Sequence, residues 1–261
     1  MMDDRDWEVF KGKLKSKTEI DLDLYKTPQM KRRIGNLVTR NGFNGFVEYF
    51  DHVVKDKDDF AAFIEYLTIN VSEFFRTPEK FSQLETDVIP DLLKRSPKLN
   101  IWSAGCSIGA EPYSLAMIMR DLTPGKKHRI LASDLDVEIL AKAKRGVYSD
   151  NEIKSLSAER KAKYFTAQGD KYAVNDDIKS CIEFKRHNLL KDPFETGFDL
   201  ILCRNVVIYF TEEAKDQLYA NFFKALKPGG ILFVGATEAI LNFRKLGYTS
   251  YKPFFYQRPL E

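Results

Sequence analysis

Four stretches of the chain place polar residues directly after apolar runs, where a ligand could be held. In IWSAGCSIGAEPYS, the run from Ile101 ends at Ala104 and Gly105, and a helix opens near Glu111 and Pro112. Gly105 and Gly109 let backbone approach a ligand there, although the same glycines could simply make a tight turn. The spacing is not Gly-x-Gly-x-x-Gly, which speaks against a dinucleotide seated on a helix N-terminus. HRILASD delivers Asp134 where an acidic side chain can accept both hydroxyls of a ribose, while Asp136 suits the cap of the next helix. HNLL offers the amide of Asn188 and the apolar edge of Leu189 to an adenine ring. CRNVVIYF sets Arg204, Asn205 and Tyr209 just past the wholly apolar FDLIL, a position where a polar pair is hard to explain as core.

Elements must hold those loops in place, and the pattern supplies them. From Trp7 to about Tyr66 apolar residues recur at helical spacing, as in Trp7, Phe10 and Leu14, with a break at Asn41-Gly42, so residues 1–72 are expected to form a small helical domain. Thr77 as N-cap and Pro78 in the first turn announce a helix that runs past Pro90 to Ser96-Pro97, a linker over 73–97. From 98 to 261 short apolar runs alternate with longer amphipathic segments, the pattern of an α/β fold with a buried, largely parallel sheet. Between about 147 and 187, KYAVND and SCIEFKRH read as an inserted antiparallel β-subdomain, and TSYKPFFYQR as an edge strand pair that completes the sheet. A glycine loop, an acidic end to the second strand, a polar end to the fourth and the KPGG turn (Lys227–Gly230) form the layout of class I S-adenosylmethionine methyltransferases, a Rossmann-like α/β fold.

Composition narrows the setting. The 261 residues are 44% hydrophobic, enough for a buried core, and three widely spaced cysteines offer neither a disulfide framework nor a zinc site. No run of eighteen apolar residues occurs and the N-terminus lacks an apolar core, so a cytoplasmic protein without membrane insertion is expected. A net charge of +3 is too slight to announce a nucleic-acid binder.

The acceptor of a methyl group is narrowed by what is missing. CRN is not the Asn-Pro-Pro-Tyr motif that holds poor amine or amide nucleophiles. Cys203 has no preceding proline and continues an apolar strand, which fits a core thiol better than a nucleophile. His52, His128 and His187 offer no evident general base. A carboxylate acceptor needs none, being ionised at neutral pH, and its attack on a sulfonium methyl neutralises two charges. TINVSEFFR adds Asn70, Ser72 and Arg76, where Asn70 with Glu73 could also be a capping box.

TINVSEFFR, IWSAGCSIGAEPYSLAM, ASDLD, GVY, HNLL, CRNVVIYF and KPGGILFVGATE together resemble the CheR-type chemotaxis receptor methyltransferases, protein-glutamate O-methyltransferases, over nearly the whole chain. The resemblance implies S-adenosylmethionine as methyl donor and S-adenosylhomocysteine as product, with no metal. It implies that Asn70, Ser72 and Arg76 fold over the donor, with Gly105, Glu111, Asp134, Asn188, Leu189, Arg204 and Asn205 among the ligand contacts. Arg76 and Tyr209 then fall at the reacting centre, as groups that orient the acceptor and the sulfonium without moving a proton.

The partner it implies is the glutamate-rich cytoplasmic helix of a chemoreceptor. From Leu24 to Val47 the chain carries Lys26, Lys31, Arg32, Arg33 and Arg40 and no acidic residue, a face suited to docking such helices, though charge runs are often only solvated. Some relatives tether a receptor C-terminal peptide through a Gly-rich loop of the insert; FTAQGDKYAV (Phe165–Val174) is short and lacks Gly-x-Gly-Pro, so no peptide tether is expected. The chain is expected to act as a monomer. The rival readings are an RNA or small-molecule methyltransferase, with Lys31 to Arg33 on phosphate, and a non-catalytic adaptor that senses S-adenosylmethionine.

Overall fold

The structure is a computed structural model describing residues 2–68 and 72–261; the site residue Asn70 lies outside the described residues. Residues 1–69 with 207–217 make one compact unit, and residues 70–206 with 218–261 a second.

The first unit is built on α1 (Asp4–Thr18), α2 (Thr27–Arg40), α3 (Phe46–Val53) and α4 (Lys57–Thr68). The helical stripe read from the sequence is real: Trp7, Phe10 and Leu14 of α1 are buried, and the Trp7 and Phe10 rings meet Phe46, Phe50 and Phe63 edge-on. Gly45 precedes α3 and has no side chain to cap it. The Asp6 carboxylate does so instead, accepting the N–H groups of Phe46 (2.6 Å) and Val47 (3.2 Å). The unit is completed from far along the chain. Lys26 N–H donates to the carbonyl of Tyr209 (2.8 Å), Thr211 N–H to that of Leu24 (3.0 Å), and the Tyr25 and Phe210 rings meet edge-on at 5.0 Å. Helical periodicity over 1–72 held no sign of this second piece.

The second unit begins with α5 (Pro78–Gln83) and α6 (Ile89–Arg95), joined by a π turn at Leu84–Val88. That turn shifts the helical register just before Pro90, which has no N–H and whose ring would clash in a regular helix, and so the run continues past the proline. Thr77 stands at the N-cap position as expected, but in left-handed conformation and without a side-chain cap.

Then follow β1 (Asn100–Ala104), α7 (Ala110–Leu122), β2 (Arg129–Asp134), α8 (Val137–Arg145), β3 (Val147–Ser149), α9 (Ala158–Tyr164), β4 (Phe165–Gln168), β5 (Lys171–Val174), α10 (Asp176–Lys179), β6 (Ile182–Arg186), β7 (Phe198–Cys203), α11 (Glu212–Ala225), β8 (Leu226–Val234), β9 (Thr249–Lys252) and β10 (Phe255–Gln257). The main sheet has seven strands in the order β6-β2-β1-β7-β8-β10-β9. Its first five are parallel, and β10 runs antiparallel to both of its neighbours. All six residues of β7 are buried, as a central strand covered on both faces requires. KPGG lies within β8 as a bulge, since Phe198 pairs with Leu226 and Leu200 already with Ile231.

A separate three-stranded antiparallel sheet, β3-β5-β4, confirms an insert. One part of the reading is corrected: KYAVND is in it, but SCIEFKRH forms β6 and pairs parallel with β2 at the edge of the main sheet. The β4–β5 hairpin closes through the two residues Gly169-Asp170, with Gly169 at φ +62°.

One half-buried histidine, His128, and one buried, His187, make the second unit sensitive to acid. Leu99 N–H donates to His128 Nδ1 (3.1 Å), which leaves Nε2 to pair with Thr123 Oγ1 (2.9 Å). His187 is buried between Trp102 and Phe194. Burial lowers the pKa of both below the ordinary value. The unfolded chain therefore binds more protons near neutrality, and stability is fully present above about pH 6.5 and lost as pH falls toward the folded-state values. Melting temperature is expected to drop between about pH 7 and 5, and His128→Asn, with a non-titrating acceptor for Leu99, to show a shallower drop; equal slopes would contradict this.

Candidate functional site

The chain leaves β1 for β2 on one side, and β7 and β8 lie on the other, so the order reverses between β1 and β7, and their carboxyl ends flank the crevice where open α/β sheets bind ligands. The β1–α7 loop is folded tightly there: Gly105, Ser107 and Gly109 all take positive φ. Gly105 and Cys106 N–H both donate to Ser133 O, at 2.8 and 2.9 Å, binding the loop to β2. A Cβ on Gly105 would stand 2.5 Å from Val206 Cγ2, so glycine is required by space as well as by conformation.

Asp134 ends β2, and both of its oxygens are engaged: Oδ2 accepts Ser107 N–H (2.8 Å) and Oδ1 accepts Asp136 N–H (3.1 Å). Burial pushes its carboxyl above the usual carboxylate range, opposed by those N–H donors. Each oxygen keeps a second lone pair for a ligand hydroxyl. Asp136 caps α8 through the N–H groups of Glu138 and Ile139, the other role open to it. Asn188 follows β6 and turns the chain, its side-chain oxygen accepting Leu190 N–H (3.0 Å), with Leu189 buried beside it.

Arg204 is the hub. Its guanidinium is buried and spans Glu111 Oε2 (3.2 Å), the carbonyl of Arg76 (2.7 Å) and Thr77 Oγ1 (3.2 Å), and lies 4.6 Å from the Phe233 ring centroid and 5.2 Å from that of Phe81. Glu111 sits in the first turn of α7, where the helix favours an acid, and also accepts Ser103 Oγ–H (2.8 Å). Burial pulls the pKa of Arg204 down while Glu111 opposes it. A guanidinium stays charged regardless. The site thus brings together Arg76, Glu111 and Arg204, with Gly105 and Asp134 on the adjoining strand ends.

Glu238 was missed in the sequence. Its buried Oε2 accepts the N–H groups of Asn205 and Gly235 (3.0 Å), joining the ends of β7 and β8, and Asn205 is left-handed at φ +60°. The signal available was a lone glutamate in VGATEAI, which reads as loop. Ser107 Oγ was also passed over; it is buried with no hydrogen-bond partner among the described residues. Cys106 and Cys203 are buried thiols whose pKa burial raises well above the ordinary value.

Ser72 and Arg76 are half-buried, in the segment before α5. Tyr209 belongs to the first unit, on the tight turn Val207–Tyr209. There too are the basic residues of α2. Lys31 pairs with Asp4 (2.6 Å); Arg33 donates to Tyr66 O (2.6 Å from Nη2) and lies 4.2 Å from the Tyr66 ring; Arg40 lies 5.8 Å from it; Arg32 is exposed. Among the described residues no cluster of three metal-ligating side chains occurs, and no helix is long and apolar enough to cross a membrane.

Two families match. Residues 70–252 match the family described as CheR methyltransferase, SAM binding domain, and residues 5–68 match CheR methyltransferase, all-alpha domain. The chain is 43% identical over 254 residues to a chemotaxis protein methyltransferase of Listeria monocytogenes, covering 97% of each. It is 33% identical over 243 residues to one of Borreliella burgdorferi, covering 88% of this chain and 86% of that one.

Glu238→Ala would strand two buried backbone N–H groups and is expected to lower unfolding free energy by about 2 kcal/mol or more, whereas Glu238→Gln, which keeps an oxygen acceptor, should lose clearly less. Denaturant unfolding decides it, and equal losses for the two would remove the anchoring role.

Proposed function

The chain belongs to the CheR methyltransferase family, and on that footing we propose that it transfers methyl from S-adenosylmethionine to glutamate carboxylates on chemoreceptor cytoplasmic helices, giving glutamate methyl esters. Its relatives are named chemotaxis protein methyltransferases, and the chain is an S-adenosylmethionine-dependent methyltransferase of that kind.

The residues at the sheet's carboxyl ends fit the donor. Gly105 lets the β1–α7 loop turn tightly against Val206, and the unpartnered Ser107 Oγ lies in the same loop. Asp134 has lone pairs left for ribose hydroxyls, Asn188 and Leu189 suit the adenine, and Gly105, Glu111, Arg204 and Asn205 suit the amino-acid end. Ser72 and Arg76, with Asn70, would cover it. When bound, the donor supplies a methyl carbon made electrophilic by its sulfonium.

One observation carries the choice of acceptor: among the described residues, the titratable side chains at these strand ends are already engaged or buried. Glu111 is held by Ser103 and Arg204, Asp134 by two N–H groups, Glu238 by two more, His187 is buried and neutral, and Cys203 is a buried thiol. An acceptor that arrives ionised needs no base, and a glutamate arrives ionised at neutral pH. Rate enhancement then rests on positioning in a site shielded from water. Arg76 steers the incoming carboxylate; a bidentate clamp on it would blunt the nucleophile. Tyr209 is given a role in orienting the acceptor by family resemblance alone. The basic face of α2, with Lys31, Arg32, Arg33 and Arg40, would attract the acidic receptor helix. A cytoplasmic, monomeric enzyme working without a peptide tether completes the proposal.

Labelled methyl is expected to pass from S-adenosylmethionine to receptor cytoplasmic fragments as base-labile label, and to vanish when the candidate glutamates are changed to alanine. Binding without transfer would favour an adaptor, and salt-sensitive labelling of RNA the rival acceptor. kcat/KM should stay level from about pH 6 to 9, where an amine acceptor would show a rise. Arg32→Glu should raise KM for receptor several-fold and weaken its salt dependence, because Arg32 is exposed; Arg33→Glu should chiefly lower the melting temperature, because Arg33 is tied to Tyr66. The reverse pattern would remove α2 from the docking face.

A further inference from the structure

Arg76 lies between two residues in left-handed conformation, Phe75 at φ +51° and Thr77 at φ +63°. Neither is glycine, and a β-branched threonine is especially ill-suited to that region. Such a turn persists only where its surroundings over-determine it. On its C-terminal side Arg204 holds the Arg76 carbonyl and the Thr77 hydroxyl. On its N-terminal side Ser114 Oγ accepts Phe75 N–H (3.1 Å) and the Phe81 ring of α5 meets that of Phe75 edge-on at 5.5 Å, and further contacts come from the inserted segment between β3 and β5.

That segment closes on Phe74 and Phe75 from several directions. Ser155 Oγ–H donates to the Phe74 carbonyl at 2.8 Å. The Phe74 ring, fully buried, meets Tyr148 edge-on at 5.0 Å and Phe165 at 5.7 Å. Arg160 of α9 lies 4.6 Å from the Phe75 ring centroid, and its guanidinium is fixed by Glu85 (2.6 Å) and Asp121 (3.2 Å), so the plane over Phe75 is set by carboxylates on the π turn and on α7.

We propose that the inserted β-subdomain works as the backstop of the catalytic turn, with Ser155 and Arg160 acting as positioning residues that hold Phe74-Phe75 and thereby aim Arg76. It rests on the reading of Arg76 at the reacting centre. Neither residue touches donor or acceptor. Their effect runs through the backbone of residues 74–76, so it belongs to kcat and not to donor affinity. The insert then has a task in the reaction itself.

The test is a double-mutant cycle in the full-length protein, with methyl transfer to receptor fragments and calorimetric binding of S-adenosylmethionine as readouts. Ser155→Ala and Arg160→Ala are expected to lower kcat, by about threefold and about tenfold, with donor dissociation constants changed less than about twofold. In an Arg76→Ala background the same changes should cost almost nothing further, because the residue they aim is gone. Equal losses in both backgrounds, or full activity of both variants while Arg76→Ala is impaired, would overturn the backstop role and leave the reading of Arg76 intact. Full activity of Arg76→Ala would instead overturn the reading on which the inference stands. If Arg160→Ala does not fold, Arg160→Lys, which keeps a cation for Glu85 and Asp121, gives the same comparison.

Discussion

A guanidinium taken out of water must be answered by other groups, and Arg204 shows what that demands, with Nε alone of its nitrogens left without a partner among the described residues. Glu111 supplies the opposite charge, two aromatic faces cover its plane, and a backbone carbonyl and a hydroxyl take further N–H groups. These partners come from the start of α7, from β8, from α5 and from the segment before it. Because the cost of an unanswered buried charge is several kcal/mol, the partners are held in one arrangement by each other. Arg76 follows: its carbonyl is one of the answers, so its backbone is placed by β7, the central strand of the sheet.

The remaining strain in the site is treated in the same way. In the segment before α5, the β1–α7 loop and the turn after β7, the left-handed non-glycine residues are Phe75, Thr77, Ser107 and Asn205. Each has a polar anchor from another part of the chain, Ser114 for Phe75, Arg204 for Thr77, Asp134 for Ser107 and Glu238 for Asn205. Each such conformation costs about 1–3 kcal/mol, comparable with a charge-assisted hydrogen bond, so the anchors are of the right size to hold them. Three of the four anchors are ionised or ionisable side chains, which explains why so few titratable groups at these strand ends are left over for proton transfer.

The parallel strands were legible because burial on both faces leaves an apolar run, as in FDLILC. SCIEFKRH misled for the converse reason: β6 is an edge strand whose residues alternate between half-buried and exposed, so it carries the amphipathic pattern of an antiparallel strand while pairing parallel. Strand direction is set by the partner, and alternation reports only which faces are covered. Residue types at the strand ends were equally legible, since Asp134, Arg204 and Asn205 are out of place in a core. Their partners were not. Thr77 has the composition of a cap, yet it gives its hydroxyl to a side chain 127 positions away. Glu238 has no local signature, because the groups it satisfies are backbone N–H donors that no sequence pattern displays.

The first unit is assembled from two pieces of chain separated by residues 70–206 of the second, and this bears on how the protein is made. As the chain emerges during synthesis, α1 to α4 can associate early through nearby contacts, but the bridge between Tyr25 and Phe210 and the bonds to Leu24 and Lys26 must wait for residues beyond 206. Strand β7, directly followed by Arg204, lies immediately before that late piece. The N-terminal helices therefore cannot reach their finished form until the strand bearing the hub of the site has left the ribosome, and completion of the two units is coupled in time.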